Sequence, residues 1–531
     1  MSFNIIHKMR HFKFVILALA IFALAIDSLE CAKILAVFPF MGPSEYMGVQ
    51  PFLKALAARG HEITAVSAFP QKTPVKNFRD VTLKVEHSNH DEFVTSAIDE
   101  MSGSKLTELS SLNEYVVAGA LAALESEDFQ HLLRSNQHFD LIIIEVLFVD
   151  SLYALGHHFK APMIGVATFG TDVVIDELVD NISPVAYVPA PSGKNLDRMN
   201  FWQRLDNLYS FTMELMYNHL VTIPQQQQLY EKYFPNATLD LREARRDFSL
   251  LLLNQHYSYG CPRPFVPNAI EVAGMHINNE RNKLPADMET FIKASPKGAI
   301  YFSLGSNVKS AFLPKQKLAA LMNAFAKLPV NVLWKFEKTD LPGKPKNVYI
   351  SKWFPQSDIL AHPNVKLFVT HGGMHSLIEV VHHGKPFVGM PVFYDQHLNI
   401  ARAEAKGLGV KLNFRDFTSE ELRNAILEVL NNPKYAEKAK EISASFHDRP
   451  MTPLDTAIYW TEYVLRHKGA PQMRVAARHL NFFQRHSLDT MAVLFGVPLL
   501  AVILIALGIL KVLSAILNNN SGAVGKKPKK E

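Results

Sequence analysis

At 531 residues the chain is too long for a single compact core, and its length indicates two or three domains. Its hydrophobic content of 48% with 20% charged residues is that of a folded protein and excludes a mostly disordered chain. The formal net charge of +5 comes mostly from the two ends, so the body is close to neutral and nothing in it indicates a nucleic-acid partner.

Residues 1–32 have the pattern of a secretory signal peptide. Basic residues precede an apolar run over residues 14–26, and a small residue, Ala32, comes just before the next apolar segment. An uncleaved anchor is the alternative, although this run is short for a membrane span. Beyond the segment the sequence holds one cysteine, Cys261, so a secreted body would depend on large apolar cores instead of disulfides.

From residue 33 onward, short apolar runs alternate with segments whose apolar residues recur at helical spacing. In the first half the predicted strands are residues 34–38, 63–67, 81–85, 141–144 and 163–166, and the predicted helices are residues 47–59, 113–134 and 202–220. In the second half the predicted strands are residues 299–303, 332–336, 348–350, 367–370, 387–390 and 410–414, and the predicted helices are residues 314–326, 374–382, 396–406 and 419–430.

This alternation predicts parallel sheets with helices on both faces. We therefore expect an α/β protein of the GT-B type, in which two Rossmann-like doubly wound domains face each other. The predicted domains are residues 33–255, which would bind the acceptor, and residues 256–470, which would bind the donor. Ligands are expected in the cleft at the carboxyl ends of the strands.

The C-terminal part of the sequence predicts a membrane anchor. After a pre-anchor segment at residues 471–488, residues 489–511 are apolar over about the 20 residues that cross a bilayer as one helix, with a buried core helix as the alternative. The lysine-rich residues 512–531 belong in the cytosol by the positive-inside rule, which leaves the body in the lumen. The ending KPKKE is similar to an endoplasmic-reticulum retrieval signal, or is a solvated charge cluster. Asn236, in Asn-Ala-Thr, is a predicted glycosylation site.

Residues 352–396 carry the strongest functional pattern. An aromatic turn that includes Trp353 is followed by a buried strand, which ends in His371-Gly372-Gly373 at the start of a helix. A strand that leads into a glycine turn at a helix start brings backbone N–H groups and positive potential to a phosphate. The order of these parts, with Asp395 after the next strand, resembles the donor-site signature of the UDP-glycosyltransferases.

The resemblance implies a role for each matching residue in binding a UDP-sugar. Trp353 would stack on the uracil ring and Gln356 would bond to the edge of the base. Glu379 would accept from the ribose hydroxyls, and Asp395 and Gln396 would hold the hydroxyls of the sugar. The residues that would face the diphosphate are Arg263, His371, Gly372, Gly373, His375 and Ser376, and Ser306 would touch the diphosphate or the ribose. Each residue taken alone also has an ordinary structural explanation.

The sequence departs from the family at the catalytic base. Members of the family carry a histidine after the first strand, and this chain has Glu45 at that position. A carboxylate can replace the histidine as base if an apolar site raises its pKa. The family pairs its histidine with an acid, for which Glu145 holds the matching position and Asp150 is a second candidate. Two nearby carboxylates would raise one pKa, and the alternative is that Glu45 is a spectator.

We expect an enzyme that transfers a sugar from UDP-glucose or UDP-glucuronate to a small lipophilic acceptor with inversion, as in detoxification. The resemblance implies no cofactor beyond the UDP-sugar, and the absence of a D-x-D sequence argues against a metal. The alternative is an impaired family member that binds lipophiles or nucleotide sugars without transfer, and a nucleotide-sugar epimerase is disfavoured by the predicted anchor. The expected location is the endoplasmic-reticulum membrane, single-pass type I, and homo- or hetero-oligomers are both open.

Overall fold

The computed structural model describes residues 31–84, 104–193, 195–278 and 282–523, with side chains up to residue 518. Most of the predicted signal peptide and residues 524–531 of the predicted tail lie outside the described residues. The strands of the described residues are β1 Lys33–Phe38, β2 Glu62–Ser67, β3 Phe78–Thr82, β4 Leu141–Glu145, β5 Met163–Ala167, β6 Phe248–Leu253, β7 Ala269–Glu271, β8 Ala299–Ser303, β9 Asn331–Lys335, β10 Val348–Ser351, β11 Val365–Thr370, β12 Phe387–Gly389 and β13 Gly409–Lys411.

The α-helices lie in the first half of the chain, in the second half and at the C-terminal end. Those of the first half are α1 Pro43–Ala58, α2 Lys105–Glu125, α3 Glu127–Arg134, α4 Leu155–His158, α5 Val173–Glu177, α6 Phe201–Tyr217, α7 Ile223–Tyr233 and α8 Leu241–Arg245. Those of the second half are α9 Ala286–Lys293, α10 Lys315–Ala326, α11 Gln356–Ala361, α12 Met374–His382, α13 Gln396–Ala405, α14 Ser419–Asn431, α15 Pro433–His447 and α16 Pro453–Arg466. The last three are α17 Phe482–Arg485, α18 Leu488–Met491 and α19 Val497–Ala523.

The strands form two parallel sheets with the same doubly wound order. The first sheet has the order β3-β2-β1-β4-β5-β6-β7, and the second has the order β10-β9-β8-β11-β12-β13. In each sheet the strand order reverses between two central neighbours, β1 and β4 in the first sheet and β8 and β11 in the second. Doubly wound sheets bind their ligands at this reversal, outside the carboxyl ends of the strands.

The central strands are buried on both faces, which explains their continuous apolar runs. Strands β4 and β8 consist entirely of buried residues. Helices cover both faces of each sheet, so each half contains two apolar cores, one per face. The strand at residues 299–303 and the helix at residues 374–382 have the predicted bounds.

The first sheet extends beyond residue 255, where the sequence predicts the domain boundary. Strand β7 pairs with β6 in the first sheet, so the chain leaves that sheet only after Glu271. Neither strand was predicted, because β6 is a fully buried run without alternation and β7 has three residues. Helix α16 returns to the first sheet, where Ala457, Ile458 and Val464 join its core. The described residues up to Met473 form one compact unit.

Two other predicted strands are displaced by their pairing. The strand predicted at residues 81–85 begins at Phe78, because Asn77 adopts the left-handed conformation that ends the preceding turn and Ile63 then pairs with Phe78. The strand predicted at residues 410–414 ends at Lys411, because its partner β12 ends at Gly389.

Residues from Arg474 onward form a second unit. Its helical residues Leu488–Asn518 are long and apolar enough to cross a membrane, with all of their side chains exposed. They include the predicted span at residues 489–511. The predicted pre-anchor segment contains short helical turns at Ala476–His479 and Phe482–Arg485.

Candidate functional site

A cavity of about 770 Å³ lies at the carboxyl ends of both sheets, where their strand orders reverse. From the first sheet it is lined by residues that follow β1 and β4, among them Phe40, Glu45 and Leu147. From the second sheet it is lined by the turn after β8 and the turn after β11. The two sites that the sequence predicts therefore share one cavity.

Glu45 lies in the wall of this cavity, in the first turn of α1. Its Oε2 accepts a hydrogen bond from Ser44 Oγ at 2.6 Å. Burial raises the pKa of Glu45 to about 7, the hydrogen bond from Ser44 opposes the shift, and the charge of Asp395 adds to it. A carboxylate with this pKa can accept a proton at neutral pH.

Glu145, the last residue of β4, is buried behind the cavity wall and does not line the cavity. Its Oε2 accepts from the Phe40 N–H at 3.4 Å, and Oε1 has no hydrogen-bond partner among the described residues. Burial raises the pKa of Glu145 well above its usual value, and the charge of Glu45 raises it further. The direction of this shift is the one expected for one member of a carboxylate pair.

Asp150 does not belong to the cavity, which corrects its prediction as a second acid. It is buried and paired with the guanidinium of Arg245, which is also buried. Arg245 lies 95 residues further along the chain, in α8, so no local pattern of residues indicates the pair. The ion pair occupies Asp150 and holds α8 against the turn that follows β4.

His371 lies between two glycine turns on the opposite wall of the cavity. A methyl group on Gly305 or Gly373 would overlap its imidazole ring, so both positions require glycine. Burial, with a smaller effect of the charge on Lys335, lowers the pKa of His371 to about 4. The ring is therefore neutral at pH 7 and adds no positive charge to the site.

Gln356 and Glu379 are joined across the cavity wall. Gln356 Nε2 donates to Glu379 Oε2 at 2.6 Å and to Ser376 Oγ at 3.1 Å, which ties the start of α11 to α12. Burial raises the pKa of Glu379 to about 7. The sequence missed His276, a buried side chain whose Nε2 lies 3.8 Å from Glu379 Oε1 and which also lines the cavity.

His375, in the first turn of α12, reaches the other domain. Its imidazole packs against Gly48 of α1, where any side chain would overlap the ring. Burial lowers the pKa of His375 to about 4. Contact between the two halves at this point thus depends on a glycine in one and a neutral histidine in the other.

Asp395 and Gln396 lie at the start of α13 and line the cavity. Asp395 accepts from Asn399 Nδ2 at 2.6 Å, and burial raises its pKa to about 6. Gln396 Oε1 accepts from the N–H groups of Val392 and Phe393 at 2.9 and 3.2 Å, so this oxygen holds the loop before the helix.

Two of the predicted phosphate contacts do not line the cavity. Arg263 is buried, and its guanidinium bonds to Asp176 Oδ2 at 2.5 Å, which commits the cation to a partner 87 residues away in the first half of the chain. Gly372 has a φ of +88°, which favours glycine, and a Cβ atom at this position would overlap the side chain of Ile400. Its role in the structure is to form the turn.

The remaining predicted donor residues surround the cavity. Ser306 lies in the turn after β8 and donates to Asn307 Oδ1 at 3.2 Å. Trp353 is 52% exposed at the cavity rim, so a face of its ring is available. The predicted donor residues that line the cavity are Ser306, Trp353, Gln356, His371, Gly373, His375, Ser376, Glu379, Asp395 and Gln396.

Lys335 is the second cavity residue that sequence reasoning missed. It ends β9, and its Nζ lies 2.9 Å from Glu337 Oε1 and 5.6 Å from the centre of the Trp353 ring. Among the described residues, Lys105 is the other lysine that lines the cavity, and Glu214 neutralises it at 3.2 Å. The signal for Lys335 was its place at the carboxyl end of a predicted strand.

Within the described ranges no group of three or more His, Cys, Asp and Glu side chains is placed to hold a metal ion. Asn236, the predicted glycosylation site, is exposed beyond the end of α7.

Residues 32–527 match the model of the family described as UDP-glucoronosyl and UDP-glucosyl transferase. The chain belongs to this family. It is 36% identical over 515 residues to UDP-glycosyltransferase UGT5 of Dactylopius coccus, covering 94% of this chain and 96% of that protein. It is 31% identical over 540 residues to UDP-glucuronosyltransferase 2A2 of Mus musculus, covering 97% of this chain and 99% of that protein.

Solved structures of glycosyltransferases share the two-sheet fold. The glycosyltransferase VinC in complex with dTDP matches with a TM-score of 0.55 and 15% identity over 82% of this chain and 100% of its own. Spinosyn forosaminyltransferase SpnP matches with a TM-score of 0.54 and 17% identity over 82% of this chain and 99% of its own. The predicted family, the GT-B fold and the assignment as a UDP-glycosyltransferase are confirmed.

Proposed function

We propose that this UDP-glycosyltransferase transfers a neutral or acidic hexose from its UDP-sugar to the hydroxyl of a small lipophilic acceptor, with inversion and without a metal ion. The observation that carries the proposal is Glu45, a carboxylate with a pKa of about 7 that faces the same cavity as the donor residues. A base close to the donor is what an acceptor hydroxyl needs in order to attack the sugar.

The donor half of the cavity matches the chemistry of a nucleoside diphosphate. The exposed face of Trp353 can stack on uracil, and the tied side chains of Gln356 and Glu379 can bond to the base and the ribose. The turns at Gly305 and Gly373 bring backbone close to a phosphate, and the start of α12 adds positive potential. Asp395 accepts hydrogen bonds and is suited to the hydroxyls of the sugar.

Positive charge for the leaving diphosphate must come from a group other than Arg263 or His371. Arg263 is paired with Asp176 and does not line the cavity, and His371 is neutral. We assign this role to Lys335, a cation of the cavity wall whose partner Glu337 also accepts from the Ala311 N–H at 3.1 Å. A cation beside a developing negative charge stabilises it most in a site that excludes water.

The reaction then proceeds in one displacement. Glu45 removes the proton of the acceptor hydroxyl, and the oxygen attacks the anomeric carbon of the sugar. The bond from that carbon to the phosphate oxygen breaks, and UDP departs with the electron pair, which inverts the configuration. Glu145 does not line the cavity, so in this proposal Glu45 alone accepts the proton of the hydroxyl.

The acceptor half supports a small lipophilic molecule. Its wall contains Phe40, Met47, Leu112, Leu147 and Phe169, beside the carboxylate of Glu45. Apolar surface with a small number of polar groups is typical of sites for small organic ligands. If the protein only bound ligands and transferred no sugar, the raised pKa of Glu45 would have no role in its function.

For location we propose a body in the lumen of the endoplasmic reticulum, anchored by Leu488–Asn518 with the tail in the cytosol. The apolar helix, the signal pattern and the exposed Asn236 support this arrangement. Added protease should then clip the tail of intact microsomes and spare the body, and endoglycosidase should lower the mass of the parent but not of Asn236→Gln. A body that is digested in sealed microsomes would contradict the orientation.

The decisive test is turnover by purified full-length protein with UDP-glucose or UDP-glucuronate and a panel of phenols. We expect acceptor-dependent release of UDP and a product whose anomeric configuration, read by NMR, is opposite to that of the donor. Trp353→Ala, at the cavity rim, is the control for donor binding. Binding of UDP-sugar without turnover for any phenol would favour the impaired-binder alternative.

A further inference from the structure

Helix α6, with the turn that continues it over Asn218–Thr222, has its polar and apolar sides reversed. Its buried side carries Asn207, Ser210 and Glu214 beside a single buried ring, Phe211. Its solvent side carries seven large exposed apolar side chains, which we call the apolar face: Phe201, Trp202, Leu205, Leu208, Tyr209, Met216 and Leu220. A surface helix of a soluble protein has the opposite arrangement.

The apolar face is continuous and large. Residues 201, 205, 208 and 216 are three, four or eight positions apart, so they share one side of the helix, and the other members flank them. Phe201, Trp202 and Tyr209 are 60%, 72% and 57% exposed. If a whole ring offers about 150–250 Å², these three alone expose roughly 300–450 Å². This already equals the largest apolar patch of a typical monomer, about 300–600 Å².

The buried side fixes the helix to the body, so the apolar face is held in place. Asn207 accepts from the Ala190 N–H at 2.9 Å and donates to the carbonyls of Val185 and Val188. Glu214 accepts from Ser192 Oγ at 2.5 Å and pairs with Lys105 at 3.2 Å. Ser192 and Lys105 both line the cavity. The helix therefore has the cavity wall on one side and the apolar face on the other.

We propose that the apolar face of α6 rests in the interfacial layer of the lipid bilayer. Tryptophan, tyrosine, phenylalanine and leucine are the residues that proteins place at this depth. Arg204 and Asp206 are the charged side chains exposed on α6, and both lie at the edges of the apolar face. The same chain carries Leu488–Asn518, which is long and apolar enough to span a bilayer, and as the proposed anchor it would tether the body to a membrane.

The proposal deepens the proposed function and rests on its membrane anchor and lipophilic acceptor. Lipophilic molecules concentrate in the bilayer, since each buried CH₂ group contributes about 0.8 kcal/mol to partition. A helix that lies in the interface on one side, and on the other holds Ser192 and Lys105 of the cavity wall, brings the acceptor site close to that reservoir. The apolar face then serves acceptor capture and takes no part in the donor site.

Depth-dependent fluorescence tests the contact without turnover. Full-length protein with Cys31→Ser and Cys261→Ser carries a polarity-sensitive fluorophore at Leu208→Cys and is reconstituted in phosphatidylcholine vesicles. The matched control carries it at Glu420→Cys, on the exposed side of α14. We expect a nitroxide attached to the lipid near its headgroup to quench the fluorophore at residue 208 and not at residue 420.

Two outcomes would overturn the proposal. Quenching of both positions by aqueous iodide alone would mean that the apolar face stays in water. Shielding of residue 208 from iodide and from the lipid nitroxide, lost on dilution into excess lipid, would assign the apolar face to a second copy of the chain. Because neither quenching measurement depends on sugar transfer, a protein without transferase activity can still show that the apolar face contacts the bilayer.

A kinetic arm tests the purpose of the contact. In the variant Leu205→Gln/Leu208→Gln/Leu220→Gln we expect the KM for a long-chain alkylphenol in vesicles to rise severalfold, with kcat unchanged. The KM for a short water-soluble phenol should stay that of the parent. The melting temperature should also stay the same, because these side chains are exposed in the fold. Equal effects on both phenols would refute the link to acceptor capture.

Discussion

Replacement of Glu45 by glutamine tests the mechanism most directly. The amide keeps the size and polarity of the side chain but cannot accept a proton. A positioned general base contributes about 10²–10⁴-fold to the rate, so kcat/KM for the acceptor should fall by at least about 10². UDP-sugar affinity should not fall, because Glu45 belongs to the wall formed by the first sheet.

The pKa of Glu45 also determines the shape of the pH profile. The base acts only when ionised, so the rate should rise with pH up to the pKa of about 7 and then level off. Between pH 7 and pH 6 the ionised fraction falls from about one half to about one tenth, which predicts a decrease of about fivefold in kcat/KM. The acceptor should be a phenol with a pKa of about 10, as for tyrosine, so that its own ionisation lies outside this range.

The assay measures initial rates of UDP release from pH 5.5 to 8.5 at saturating UDP-glucose or UDP-glucuronate. Two carboxamide variants serve as controls. Glu108→Gln removes another carboxylate that lines the cavity, and Glu145→Gln replaces an acid that does not line it; both should keep most of the activity. Parent-like transfer by Glu45→Gln, or a flat parent profile between pH 6 and 8, would refute the assignment of the base.

Three further substitutions test other parts of the molecule. Lys335→Met should weaken UDP binding about tenfold or more in calorimetry but leave uridine binding unchanged, because a charge-assisted hydrogen bond contributes about 1.5–3 kcal/mol; equal losses for both ligands would remove the phosphate role. Asp395→Asn should weaken UDP-sugar binding more than UDP binding in the same titrations, and an equal loss for both would argue against contact with the sugar. Arg245→Met should lower the free energy of unfolding in urea by about 3–5 kcal/mol, because it leaves Asp150 buried without its partner. Arg245→Met/Asp150→Asn should recover much of that loss, and a parent-like melt of the single variant would contradict the buried ion pair.

The grouping of the predicted donor residues around one cavity was readable from the sequence because most of them lie in one continuous segment. A strand, a glycine turn and a helix start bring His371 and Gly373 together through local geometry, whatever the rest of the chain does. Trp353 and Glu379 belong to the same 45-residue segment, and the structure brings them to one cavity. The order of these residues along the chain was therefore sufficient to predict that they lie together.

The errors arose where a partner lies far away in the sequence. Arg263 carries a charge suited to phosphate, but Asp176 commits that charge through contacts that only the folded sheet creates. Asp150 failed for the same reason, through Arg245. Sequence patterns identify which groups can bind a ligand, and tertiary pairing decides which of them remain available.

Coupling between donor and base leads to a last prediction. A bound diphosphate brings negative charge into the cavity that contains Glu45, and a nearby like charge raises the pKa of a carboxyl group. The profile of kcat/KM reports the free enzyme, and the profile of kcat reports the complex with substrate. The decrease of kcat at acidic pH should therefore have its midpoint at a higher pH than the decrease of kcat/KM, for which we expect a midpoint near pH 7. Lys335→Met should widen the gap between the two midpoints, because it removes a cation that offsets the charge of the diphosphate. Coincident midpoints in both proteins would mean that Glu45 does not sense the donor, and the base would then have to be sought elsewhere in the cavity.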